Sequence, residues 1–232
     1  NILYVGTWKF ETSYKETSGI TINKDRNSFF IAQDRNKLVE YDMSFNYKNE
    51  YLLDNQKDTE GVVYIGNGNY AVVDEKIAVI RLYSLANITM SEFYSLNTNI
   101  SISNKSGLEG ITYDHNRNLF YFIREKNHKT VYSLDNNQII TKLFDIQKTD
   151  APDISGIHYD SFTDTLFICS DEGSLVLQCS LNGDLIRILD INKLANKSIK
   201  NIEGIVIDNN RNYLILVGEP NYYSIFYLNL YY

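Results

Sequence analysis

Three glutamates each stand directly before a glycine, in Glu60-Gly61, Glu109-Gly110 and Glu203-Gly204, and each pair opens a short apolar run. The phrases read EGVVYI, EGITYD and EGIVID; SGITIN at Ser18 and SGIHYD at Ser155 repeat them with serine in place of the acid. A second set of acids, Asp34, Glu75, Glu125, Glu172 and Glu219, follows the five glycines at offsets of 15, 14, 15, 16 and 15 residues. Carboxylates without histidine or cysteine partners are hard oxygen donors, which suit Ca²⁺, or Mg²⁺, rather than zinc or copper. Converged on one rim they would also repel. At an effective dielectric near 20, two charges about 4 Å apart cost roughly 4 kcal/mol. Protonation, a cationic partner or a metal would offset that.

The elements that must position these acids follow from the repeat itself. The glycines are Gly19, Gly61, Gly110, Gly156 and Gly204, with successive differences of 42, 49, 46 and 48. A period in the forties without helical i, i+3, i+4 stripes matches the four-stranded blade of a β-propeller. Each copy holds short runs rich in Ile, Val, Tyr and Phe, bounded by Asn, Asp and Gly, as in ITYD, DHNRN, LFYFIRE and KTVYSLD of the third copy. The chain is therefore expected to be all-β, a single five-bladed propeller over residues 1–232, with blades starting near 18, 60, 109, 155 and 203. The fifth copy is one strand short at its end. Residues 2–10, ILYVGTWKF, belong to no other copy and are expected to supply the outer strand of that last blade. Such closure would hide the sheet edges.

In an up-and-down blade the start of the first strand and the end of the second share one face. All eight acids are then expected at one mouth of the central channel: Glu60, Glu109 and Glu203 as metal ligands, the five others as a second ring. Arg35, Lys76, Arg124 and Lys126 neighbour members of that ring, so it reads equally as inter-blade ion pairing. Ser18, Ser155 and His158 are expected to line the channel. The glycines themselves suit close backbone approach around a narrow axis.

Composition sets outer bounds. The chain has 19 Tyr, 11 Phe and a net charge of −7, an ordinary balance that argues against nucleic acid, whose phosphates favour basic surfaces. No apolar run is long enough to cross a membrane. Cys169 and Cys179 form no zinc or redox spacing and lie on the two arms of one expected hairpin, as buried thiols or as a bridge. Asn87-Ile88-Thr89 matches a glycosylation acceptor, a tripeptide that an Asn-rich chain also produces by chance. The chain starts at Asn1 without Met, which suggests a domain trimmed from a longer protein.

Taken in order, LEGITYD with REKN, SGIHYD with SDE, and IEGIVID with GEPN resemble the SdiA-regulated (YjiK-like) domain of bacterial proteins; SGITIN and TEGVVYI match as well. That resemblance implies a five-bladed propeller with a calcium site, distantly similar to NHL-repeat propellers. It further implies an extracytoplasmic setting, periplasmic or membrane-anchored. The leading expectation is a non-enzymatic module that presents its acidic face to a protein or glycan. The alternative is a metal-dependent hydrolase of the lactonase or esterase kind, with Glu172 or His158 as the base.

Overall fold

The computed structural model describes residues 2–33, 36–86, 89–96, 107–125, 128–147, 150–208, 210 and 212–228. Among these residues, twenty strands form five antiparallel four-stranded sheets. The first complete blade holds β2 (Thr17–Asn23), β3 (Ser28–Gln33), β4 (Lys37–Asp42) and β5 (Tyr47–Leu52). The second holds β6 (Thr59–Gly66), β7 (Asn69–Asp74), β8 (Val79–Ser84) and β9 (Thr89–Ser95). The third is β10 (Leu108–Asp114) to β13 (Ile140–Asp145), through β11 (Leu119–Arg124) and β12 (Thr130–Leu134). The fourth is β14 (Gly156–Asp160), β15 (Thr165–Ser170), β16 (Leu175–Ser180) and β17 (Leu185–Asp190). The fifth combines β18 (Ile202–Ile207), β19 (Tyr213–Gly218) and β20 (Tyr222–Leu228) with β1 (Ile2–Lys9) from the other end of the chain.

The closure expected from the sequence is present: β1 runs antiparallel to β20, pairing Ile2 with Leu228 and Lys9 with Tyr222. Trp8 stacks on Tyr223 with ring centroids 5.5 Å apart, so the seam is packed as well as hydrogen-bonded.

The core lies between blades. Side chains alternate across each strand, so Phe29 and Ile31 enter the cluster shared with blade five, while Phe30 and Ala32 enter the one shared with blade two. Five such clusters, one per interface, close the ring. The inner and second strands are accordingly near-continuous apolar runs, and the outer strands β5 and β17 are mostly exposed. Turns between the first and second strands place Asn27, Asn67, Asn118 and Asp164 at positive φ, which the short polar side chains of Asn and Asp tolerate.

A single helical turn, α1 (Ile191–Ala195), follows β17. Asp190 caps it by accepting from the Lys193 amide, and Ile191 and Ala195 fill the cluster between blades four and five. Cys169 and Cys179 are free and buried. They face different inter-blade clusters from opposite sides of their sheet, so a bridge between them is excluded.

Candidate metal centre

The repeat glycines form the innermost layer. A side-chain carbon on Gly19 would stand 2.7 Å from the carbonyl oxygen of Glu60, one on Gly110 2.8 Å from the Ile157 amide, and one on Gly156 2.7 Å from the Glu203 carbonyl. On Gly204 it would approach Gly19 to 3.1 Å, which completes the circle. Only glycine lets five inner strands approach this closely.

The same glycines sit at irregularities that aim the acids. Opposite β3, β7, β11 and β19, the inner strand carries one residue more than its partner: Thr17 pairs with Gln33 but Gly19 with Ala32, and Leu108 with Arg124 but Ile111 with Phe122. An extra residue bends the strand and redirects the side chain beside it. Ser18, Glu60, Glu109 and Glu203 occupy those positions and are all half-buried. In the fourth blade, the Ser155 amide bonds the Cys169 carbonyl while Gly156 pairs with Cys169, so two residues again oppose one.

In blades two to five, the end of the second strand is tied to the chain three residues before the glycine. The amides of Glu75, Glu125 and Glu219 donate to the carbonyls of Asp58, Gly107 and Asn201 at 3.0, 2.8 and 3.0 Å. In the fourth blade the Asp171 amide donates to the Asp153 carboxylate at 3.1 Å, and the Ser170 hydroxyl donates to it too.

These elements enclose a cavity of about 510 Å³ at one mouth of the channel. Among the described residues, nine carboxylates line it: Glu16, Asp58, Glu60, Glu109, Glu125, Asp153, Asp171, Glu203 and Glu219; the one cation on the described lining is Lys57. Glu75 joins Asp58 and Glu60 in a half-buried trio whose ligand oxygens all lie within 4.8 Å of one another. That trio can hold a metal ion.

The electrostatics follow from burial first and mutual repulsion second. Burial pushes the Glu60 carboxyl up to about 8, helped by the charges of Asp58 and Glu75 and opposed by the Ser18 hydroxyl that donates to it. Glu203 is pushed up to about 9 by burial and by Asp171 and Glu219. Glu109 is held well above the ordinary carboxylate range by burial and by Glu60 and Glu75. Burial also raises Asp171 and Glu219, each with neighbouring acids adding to the effect. Without a cation, several of these groups keep protons at neutral pH.

Of the residues singled out in the sequence, Glu60, Glu109, Glu203, Glu125, Glu219, Ser18 and Ser155 line the mouth, and Glu75 belongs to the trio. Ser155 donates to the Ile202 carbonyl at 2.5 Å, a contact between blades four and five. Asp34 lies outside the described residues, as do Arg35, Lys126 and the Asn87-Ile88 pair. Lys76 reaches Asp58 at 4.0 Å from an exposed position, an ion pair of little strength. At the end of the fourth blade's second strand the lining acid is Asp171; Glu172 is off the lining, its amide donating to Asp153. His158 lines a separate cavity at the opposite end of the channel.

The sequence reading passed over Glu16, Asp58 and Asp153. Each stands three residues before its glycine, a spacing constant in three blades that would have found them. An offset of 15 would have chosen Asp171 over Glu172 but also Lys76 over Glu75, so that offset alone does not select the acids of the site.

Solved structures share this architecture at low identity. The chain aligns with a glutaminyl cyclase from Myxococcus xanthus at 12% identity and a TM-score of 0.68, covering 97% of this chain and 95% of that one. It aligns with virginiamycin B lyase from Staphylococcus aureus at 13% identity and a TM-score of 0.61, covering 98% and 100%. A structure of a nidogen–laminin complex aligns at 10% identity and a TM-score of 0.64, covering 94% and 84%. At these identities the likeness is one of fold. The SdiA-regulated family model matches residues 7–227, nearly the whole propeller from β1 to β20, and the chain belongs to that family.

Proposed function

We propose that the acidic mouth binds a divalent cation, Ca²⁺ in preference to Mg²⁺, and that the metal-loaded face is a docking surface for a protein or glycan. The observation that carries this reading is the trio of Asp58, Glu60 and Glu75 within ligand distance of one another, set among nine lining carboxylates and one lysine. Two of the five positions before the repeat glycines carry serine, so the fold does not require an acid there. Burying acids where serine suffices is costly unless a cation offsets their repulsion. A rigid propeller whose second-to-third-strand loops and inter-blade connections surround the mouth is suited to recognition.

The hydrolase alternative stands second. It needs a base beside the metal, and neither His158 nor Glu172 lines the acidic cavity. The deciding experiment is a thermal melt in EDTA, then with added CaCl₂ or MgCl₂. A ligand that binds only the native state raises its stability, so the melting temperature should rise with Ca²⁺ and rise less with Mg²⁺. No change at millimolar Ca²⁺ would remove the metal from this reading. Turnover on a panel of lactones and esters, dependent on the same ion, would reverse the order of the two readings.

A further inference from the structure

The opposite end of the channel holds a second cavity, of about 740 Å³, which shares no lining residue with the acidic mouth. Its volume falls in the range of small-molecule sites, roughly 300–1,000 Å³. Its walls differ in kind from the first. Next to the glycine layer they are aliphatic, formed by the residues that follow each glycine, such as Ile20, Val62 and Ile111. Further out they turn aromatic, with Tyr64, Tyr113 and Tyr159 from three consecutive blades.

The polar ends of those tyrosines are already engaged. The Tyr64 hydroxyl donates to Asp25, that of Tyr113 to Asn118 at 3.2 Å, and that of Tyr159 to Asp164 at 2.8 Å. Their orientations are thereby fixed by the turns; Tyr64 and Tyr159 are buried between blades, and of the three rings it is the half-buried Tyr113 that offers carbon surface to a ligand. Phe162 stands at the rim with 77% of its surface exposed, on a turn fastened by its amide to Asp160 at 3.3 Å. A phenyl ring held at a cavity mouth in water gains by being covered.

The remaining lining groups are polar and of mixed type. Lys24 donates, Asp25 accepts, and Asn67 and Asn116 do both. Burial and the charge of Lys24 depress the imidazole of His115, so the two groups act on each other from blades one and three. Asp160 and Asp208 also line the cavity, but both are buried and their carboxylates accept from their own turns, Asp160 from Phe162 and Thr163 and Asp208 from the amides of Asn210, Asn212 and Tyr213. The exposed rim is left with Lys24 and Asp25, one charge of each sign, which disfavours a strongly charged ligand. A sugar ring meets both demands: its C–H face covers an aromatic ring, and each hydroxyl both donates and accepts.

We propose that this second cavity is a binding site for a neutral sugar ring, with Phe162 and Tyr113 as stacking surfaces. The proposal does not depend on the metal reading of the other mouth. It is tested by saturation-transfer NMR on the full chain with methyl glycosides of the common hexoses and N-acetylhexosamines. Choline and benzoate serve as cationic and anionic controls. Ring protons of at least one glycoside should show transfer that persists in EDTA and is lost in Phe162→Ala. Phe162 is exposed, so this variant should melt like the parent and separate lost binding from lost folding. Tyr113→Ala should lower the same signal. Absence of transfer from every glycoside, transfer that survives both substitutions, or transfer from choline or benzoate alone would overturn the proposal.

Discussion

The carbonyl oxygen of Glu109 lies 2.7 Å from the point where a side-chain carbon on Gly61 would stand. The glycine of one blade thus fits against the backbone of the acid in the next, and the fold and the acidic site share one contact. The ring is narrow because the glycines let the inner strands meet. It is acidic because the bulges beside those glycines turn Glu60, Glu109 and Glu203 toward one mouth.

Gly61→Ala should therefore damage both. The added carbon would also stand 2.7 Å from the Ile111 amide, and both obstacles are backbone rather than flexible side chain. Overpacking of this kind costs about 1–3 kcal/mol. Urea denaturation should show that loss, and the calcium-dependent rise in melting temperature should shrink with it. A variant equal to the parent in both respects would contradict the tight ring.

Neutralising the acids should separate repulsion from ligation. In EDTA, Glu109→Gln should be more stable than the parent, since it removes an ionisable carboxyl whose charged form is disfavoured by burial and by Glu60 and Glu75. The double variant Glu109→Gln, Glu203→Gln should lose the calcium response. Calorimetric titration with CaCl₂ checks it directly, and undiminished heat in the double variant would count against these two as ligands.

Stability should depend on pH in an unusual direction. The unfolded chain releases the protons of Glu60 and Glu203 near 4.5, whereas the folded protein holds them up to about 8 and about 9. The native state binds more protons across that interval, so in EDTA stability should fall as pH rises from 5 towards 9. Each group contributes at most about 1.4 kcal/mol per pH unit. Asp42 and Asp164, whose pKa values are lowered, act below this window. Added Ca²⁺ should flatten the decline because it holds the ionised forms. Denaturation midpoints measured across that range would be inconsistent with this account if the EDTA profile were flat or rising.

Removing residues 2–9 should open the ring. The deletion leaves the β20 edge unpaired and takes away the Trp8–Tyr223 stack. An exposed edge of this length invites aggregation. A large drop in melting temperature with concentration-dependent light scattering is the expected result; an unchanged melt would mean that β1 is dispensable.

The five-fold repeat and the use of residues 2–10 as a closing strand were both legible in the chain. Each is a local pattern with a single packing solution: a period near 46 residues, and a last copy lacking one strand. The division of Phe29 to Ala32 between two inter-blade cores was not, because FFIA is a continuous apolar run. The presence of acids at one mouth was legible for the same reason, because strand direction assigns residues to ends of a blade. Which acids face the cavity was carried only in part by spacing, and the tertiary structure decided the rest. Asp171 lines it where Glu172 does not, and Asp58 meets Glu60 and Glu75, because a slip of one residue at a bulge or strand end reverses the side chain. The same holds for His158, three residues beyond Ser155 on the inner strand and yet in the opposite cavity, since the glycine layer comes between them. The raised carboxyls of Glu60, Glu109 and Glu203 belong to the tertiary structure as well. They arise from burial and from neighbouring charges, some on the same blade, as Asp58 and Glu75 beside Glu60, and some on other blades, as Glu60 and Glu75 beside Glu109 and Asp171 beside Glu203, which become adjacent only once the ring has closed.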